Sequence, residues 1–176
     1  RGLAQPYGAQ VGRTLRTSYG EQTAILARAM AAAGADARMS GCDLPVVILS
    51  GSGNQGMTAS LPVIVYARAL GASEEALMRA LCVASLVTIH QKTGIGCLSA
   101  FCGAVSAGCG AGAGVAYLHG GGYEAVCHTI VNALAIASGM VCDGAKPSCA
   151  AKIACAVDAG LLGYFMYREG REFCSG

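Results

Sequence analysis

Tryptophan is absent, prolines number four, and charged residues make up 12% of the chain. An average soluble chain carries about 25% charged residues. The formal net charge is +2, so no basic field exists for nucleic acid or for an anionic membrane surface. Long uninterrupted apolar runs are also missing. Residues 93–123 lack Asp, Glu, Lys and Arg, but glycines break them repeatedly. Residues 125–142 lack these charges too, yet contain His128 and Asn132. A spanning helix needs roughly 20 predominantly apolar residues, so no membrane span is expected. There is no tight Cys-x2-Cys pair, which argues against zinc. No Gly-Lys-Ser/Thr follows the glycine loop described below, and no dinucleotide fingerprint is present. Neither a signal peptide nor an initiator methionine is visible, so Arg1 is not expected to be the natural start.

What is present is 54% hydrophobic residues, 26 glycines and ten cysteines in 176 residues. That length suffices for one well-cored domain, 1–176. So few charges leave little material for a solvated exterior. Much of the surface is expected to be covered by a missing N-terminal region, a partner subunit or a second copy of the chain. The cysteines fall mostly in alanine-rich helical runs, not in a loop-rich disulfide scaffold. Many are therefore expected to be reduced, small core residues, which suits a cytoplasmic protein.

The periodicity predicts an all-α fold, a compact bundle of about five or six buried, Gly/Ala-rich helices. Residues 1–20 have weak periodicity and read as an edge. Residues 21–33 predict a helix ended by Gly34, followed by a loop through Pro45. Ser50-Gly-Ser-Gly-Asn-Gln-Gly56 precedes a helix over 57–70, with Pro62 placed early in it. Backbone N–H groups of such a loop, with Ser50, Ser52, Gly53, Asn54 and Gln55, form a cradle for a carboxylate or phosphate. A tight turn before an ordinary helix explains the same pattern. Ser73 caps the next helix, with acids in its first turn, to about His90. His90 and Lys92 are weak catalytic candidates. Each has a simpler role at a helix C-terminus.

Chemistry concentrates in residues 88–150, which hold Cys97, Cys102, Cys109, Cys127, Cys142 and Cys149. A helix over 99–118 is rich in Gly and Ala, with Cys102 in its first turn. Each glycine costs ~1 kcal/mol relative to alanine, a loss offset by close approach of neighbouring helices or of a cofactor. The turn with His119 is expected to be exposed. On the helix over 124–140, His128 and Asn132 read as internally hydrogen-bonded groups rather than ligands. Pro147 is expected to open the last helix. Cys149 then lies in its first turn, where the helix dipole favours the thiolate. Cys142 sits just before it. Two thiols at a helix–loop–helix mouth, with a third on a packed helix, can hold a cluster.

Asp36-Ala-Arg-Met39, Ser50-Gly-Ser-Gly-Asn-Gln-Gly56, Leu98-Ser-Ala-Phe-Cys102 and Gly139-Met-Val-Cys-Asp-Gly-Ala145 with Cys149 resemble the L-cysteine desulfidase family. That family is related to the alpha chain of iron–sulfur L-serine dehydratases. The resemblance covers nearly the whole chain. It implies a [4Fe–4S] cluster held by Cys102, Cys142 and Cys149, with one iron free of protein ligand. It implies a small amino-acid substrate, L-cysteine, converted through aminoacrylate to pyruvate, ammonia and sulfide. L-Serine dehydration is the alternative within the class. A non-catalytic amino-acid-binding or structural domain is the alternative outside it. Family members carry a preceding region with a reactive cysteine and continue beyond the equivalent of Gly176. The chain thus resembles an excised core, a proteolytic fragment or one subunit of a split enzyme. Cys174 resembles the C-terminal cysteine ligand of serine dehydratases.

Overall fold

A computed structural model describes residues 1–96 and 99–173. Cys97, Leu98 and Cys174 therefore lie outside the described residues. Among these there are seven helices and no strand: α1 Val11–Tyr19, α2 Thr23–Met39, α3 Gly53–Leu70, α4 Glu74–Ile95, α5 Gly103–Leu118, α6 Tyr123–Ala137 and α7 Cys149–Arg168. The all-α expectation holds, with more helices than the five or six predicted.

The bundle is organised around α5, which packs against α3, α4, α6 and α7. Nearly all of α5 is buried. Its glycines are required by contact. A Cβ on Gly108 would lie 2.2 Å from the Ala156 carbonyl oxygen on α7, and one on Gly160 would lie 2.1 Å from the Gly108 carbonyl oxygen. The backbones of α5 and α7 touch there. Tight helix packing thus accounts for the glycine-rich stretch. Cys109 on the same helix is a core residue, its thiol pushed up to about 12 by burial.

Several boundaries differ from the sequence expectation. Residues 11–19 form α1 because α2 supplies what the local sequence lacks. Gln10, in a left-handed conformation, gives α1 no side-chain cap. Buried Asp36 accepts the Gly12 N–H instead, at 3.2 Å. Gly34 does not end α2. It faces Met57 of α3, and the helix runs on to Met39. Helix α3 begins at Gly53 rather than Met57, so Pro62 lies in its interior. There the ring forfeits the bond that an N–H would make to the Thr58 carbonyl. Helix α5 starts after Cys102, its N-cap. Helix α6 stops at Ala137 and α7 starts at Cys149, leaving 138–148 as a connection with Pro147 outside the helix.

His119 is exposed, as expected. Asn132 is buried, donates to the Gly163 carbonyl of α7 at 3.0 Å and accepts from the Phe173 N–H at 2.9 Å. His128 meets the Glu172 carboxylate instead. By length and composition α7 could cross a membrane, but more than half of its apolar window is buried within the bundle.

Candidate functional site

Three helices begin at one place. Ser52 is the N-cap of α3, Cys102 of α5 and Ser148 of α7. A cavity of about 520 Å³ opens between these starts. Each helix directs unpaired N–H groups and a partial positive charge toward its N-terminus.

The loop before α3 is a tight reversal. Ser50 and Gly51 have positive φ, 49° and 82°. Leu49 N–H donates to Ser52 O at 3.2 Å, and Ser52 N–H donates to Leu49 O at 3.1 Å. This turn carries Ser50, Gly51 and Ser52 to the cavity wall, where Asn54 and Gln55 join them. Gly53, also expected in the cradle, does not line the cavity. A Cβ there would meet Val46 Cγ2 at 2.5 Å and Arg38 Nε at 2.9 Å. A Cβ on Gly56 would lie 1.9 Å from the Val47 carbonyl oxygen. Those two glycines serve the folding of the loop onto α3.

Two extended segments bring the first two cysteines together. Cys142 N–H donates to Ala100 O at 2.7 Å and Cys102 N–H to Met140 O at 3.1 Å, flanking a bridge between Phe101 and Val141. The connection then turns back to α7. Cys149 Sγ accepts the Lys146 N–H at 3.5 Å and lies 3.7 Å from Gly144 O. Cys102, Cys142 and Cys149 all line the cavity, the first buried, the second exposed and the third between. Among the described residues no three His, Cys, Asp or Glu side chains converge closely enough for a single metal ion.

The wall is cationic. Arg38, Lys92 and Lys152 line it, and among the described residues no Asp or Glu does, although Asp143 pairs with Lys152 beside it. Lys152 Nζ donates to Val141 O at 3.0 Å and pairs with Asp143. Lys146 pairs with Asp143 at 3.2 Å. Hydrogen bonds from Lys152 and then Lys146 hold the Asp143 carboxyl down at about 2, while Asp143 raises the Lys152 ammonium. Burial pushes the Cys102 thiol up; the Ala104 N–H and the Lys152 charge oppose this, and Cys142 and Cys149 add to it.

Of the two weak catalytic candidates, Lys92 lines the cavity, whereas His90 is exposed and does not. Sequence reasoning missed Arg38 and Lys152 as cavity residues. Lys152 had a signal, since it follows Cys149 by three residues on a helix and so shares its face. Arg38 had none by spacing, because it arrives from the end of α2.

The family model of the serine dehydratase alpha chain matches residues 2–175. A UPF0597 protein of Desulfitobacterium hafniense (strain Y51) is 69% identical over 175 residues, 99% of this chain and 41% of the relative. One of Lachnoclostridium phytofermentans is 57% identical over 99% of this chain and 42% of its own length. One of Bacteroides fragilis is 44% identical over 94% of this chain and 40% of its own. The chain thus spans about two fifths of the curated relatives it matches. No solved structure matches.

Proposed function

The chain belongs to the serine dehydratase alpha chain family, and from that premise we propose that it is the cluster-binding and substrate-holding part of a cytoplasmic iron–sulfur-dependent lyase. The proposed reaction converts L-cysteine to pyruvate, ammonia and sulfide. Loss of the α-proton and of HS⁻ from the β-carbon leaves 2-aminoacrylate. Its imine form takes up one water and releases ammonia, giving pyruvate. Further polypeptide, from the remaining length of the relatives or from a partner subunit, completes the enzyme.

The observation that carries this reading is the meeting of three thiols with the serine–glycine turn in one cationic cavity. The donor set suits a cluster. Three thiols, three helix N-termini and the cations Arg38, Lys92 and Lys152, the last paired with Asp143, surround the space, which favours an anionic inorganic body. That no three-ligand group for a single ion occurs among the described residues is compatible with this, because cluster thiolates are spread around several metals. Cys102, Cys142 and Cys149 would hold a [4Fe–4S] cluster. When bound, such a cluster supplies a Lewis-acidic iron toward a leaving group or carboxylate.

The chain's own residues do the positioning. Ser50 and Ser52 hydroxyls and the first N–H groups of α3 offer donors to a substrate carboxylate. Phe101 adds an exposed apolar ring to the cavity lining. Lys92 reaches the cavity from the end of α4, so of the two weak candidates it is the one whose ammonium would offer charge to a substrate carboxylate there.

Anaerobic incorporation of iron and sulfide, quantified per chain, tests the reading. Cys142→Ala is expected to lower both sharply, and uptake equal to that of the unaltered protein would refute the ligand role. L-Serine is the second reading, favoured by the name of the matching family model. Rates of pyruvate release from L-serine and L-cysteine by the full-length protein separate the two.

A further inference from the structure

We propose that Arg38 is the carboxylate anchor of this site, fixing a small carboxylate-bearing ligand against the start of α3. This deepens the lyase reading and rests on it.

Arg38 lies in the last turn of α2, half-buried, and its side chain lines the cavity. Among the described residues no carboxylate comes within ion-pair distance of it; Arg1, Arg13, Arg68 and Arg171 share that, but Arg38 is the arginine among the described residues that lines this cavity. Gly53 seats it. A Cβ at that position would lie 2.9 Å from Arg38 Nε and 3.3 Å from Cζ, so the guanidinium rests directly on the first residue of α3 and a larger residue would displace it. A cation against a helix N-terminus is electrostatically unfavourable, because both are positive. An anion between them resolves the conflict. A carboxylate matches the planar guanidinium fork with two parallel bonds, which a lysine cannot provide. Ser50 and Ser52 stand on the same wall with hydroxyls for the remaining lone pairs. The simpler role, complementing the C-terminus of α2, needs only a positive charge.

The test uses the full-length protein, loaded anaerobically with iron and sulfide. Titration calorimetry compares 3-mercaptopropionate, which has the carboxylate, with cysteamine, which lacks it. Arg38→Met is expected to weaken 3-mercaptopropionate by about tenfold to a hundredfold, the range for a charged hydrogen-bonded pair. Cysteamine affinity and iron content stay unchanged. Arg38→Lys, which keeps the charge at the end of α2 but not the fork, is expected to weaken 3-mercaptopropionate by at least about half as much in logarithmic terms. If Arg38→Met fails to fold or to load iron, Arg38→Lys is read in its place by the same comparison. Equal weakening of both probes, or no weakening of either, overturns the anchor. With iron uptake and pyruvate release intact, that result leaves the lyase reading standing. Absence of both in the unaltered protein takes down the two together.

Discussion

Lys152 shows how one side chain can govern where a thiol sits. Its ammonium ties the Val141 carbonyl and the Asp143 carboxylate to α7, and Cys142 lies between these two anchors. Asp143→Asn removes the charged half of the tether. Iron uptake is expected to fall severalfold with little change in helicity, read by iron assay and far-ultraviolet circular dichroism. The sign of the pH effect follows from the depressed carboxyl. A carboxyl lowered from 3.8 to about 2 stabilises the connection above pH 3.8, and the contribution fades as pH falls toward 2. The tether is therefore constant across neutral pH. An iron-binding profile that changes between pH 6 and 8 through Asp143 would contradict it.

At the scale of elements, the contact between α5 and α7 decides two opposite predictions. Alanine is the better helix former by ~1 kcal/mol. At Gly108 that gain is overwhelmed, because the new Cβ would meet a backbone oxygen and carbon at 2.2 and 2.5 Å. Gly108→Ala is expected to destabilise by at least about 2 kcal/mol, as overpacking against backbone does. Among the described residues, no heavy atom lies within 4 Å of a Cβ added to Gly94 on α4, so Gly94→Ala is expected to stabilise by about 0.5–1 kcal/mol. Urea denaturation of the two variants checks both signs. Helix α1 depends on Asp36 in the same tertiary way, and Asp36→Ala is expected to cost about 1 kcal/mol through the lost cap. Burial raises the Asp36 carboxyl more than the N–H groups of Gly12 and Val11 lower it. A carboxyl raised on folding binds its proton more tightly in the native state. Stability is thus expected to fall as pH rises from 3.8 through the folded value, and to level off above it. Asp36→Asn, which still accepts from Gly12, should lack that slope in denaturation midpoints. These cases also mark what the sequence could and could not disclose. Ser73, Gly71 and the alanine runs announce helices locally. The cap of α1 lies 24 residues away in the chain, and the purpose of Gly34, Gly53 and Gly56 lies in the neighbours they touch. Cys142 and Cys149 were legible as neighbours across a short connection. The pairing of 100–102 with 140–142, which brings in Cys102, was not, because three-residue segments carry no periodicity.

The whole molecule leaves apolar surface uncovered, in keeping with its 12% charge. A groove of about 300 Å³ runs over α5 between α4 and α6, walled by Ile95, Val105, Leu134 and Met140. Phe101 and Cys102 line both this groove and the cysteine cavity. Leu86 and Ile89 on α4 and Ile136 on α6 add exposed apolar side chains on the flanking helices. Fully burying such a side chain is worth about 1.5–3 kcal/mol, so a few of them suffice for association. The relatives carry more than twice this length of chain, and the proposed enzyme includes that polypeptide or a partner. Alone, the chain is expected to self-associate with rising concentration in analytical ultracentrifugation. The assemblies should persist in high salt, because the surface is apolar rather than charged. Leu86→Lys together with Leu134→Lys is expected to shift the distribution to monomer without lowering the denaturation midpoint, since both positions are already solvent-accessible. A monomer at all concentrations for the unaltered chain would show that this face needs no cover. In the full-length protein, where the face is proposed to be buried, the same substitutions are expected to lower stability.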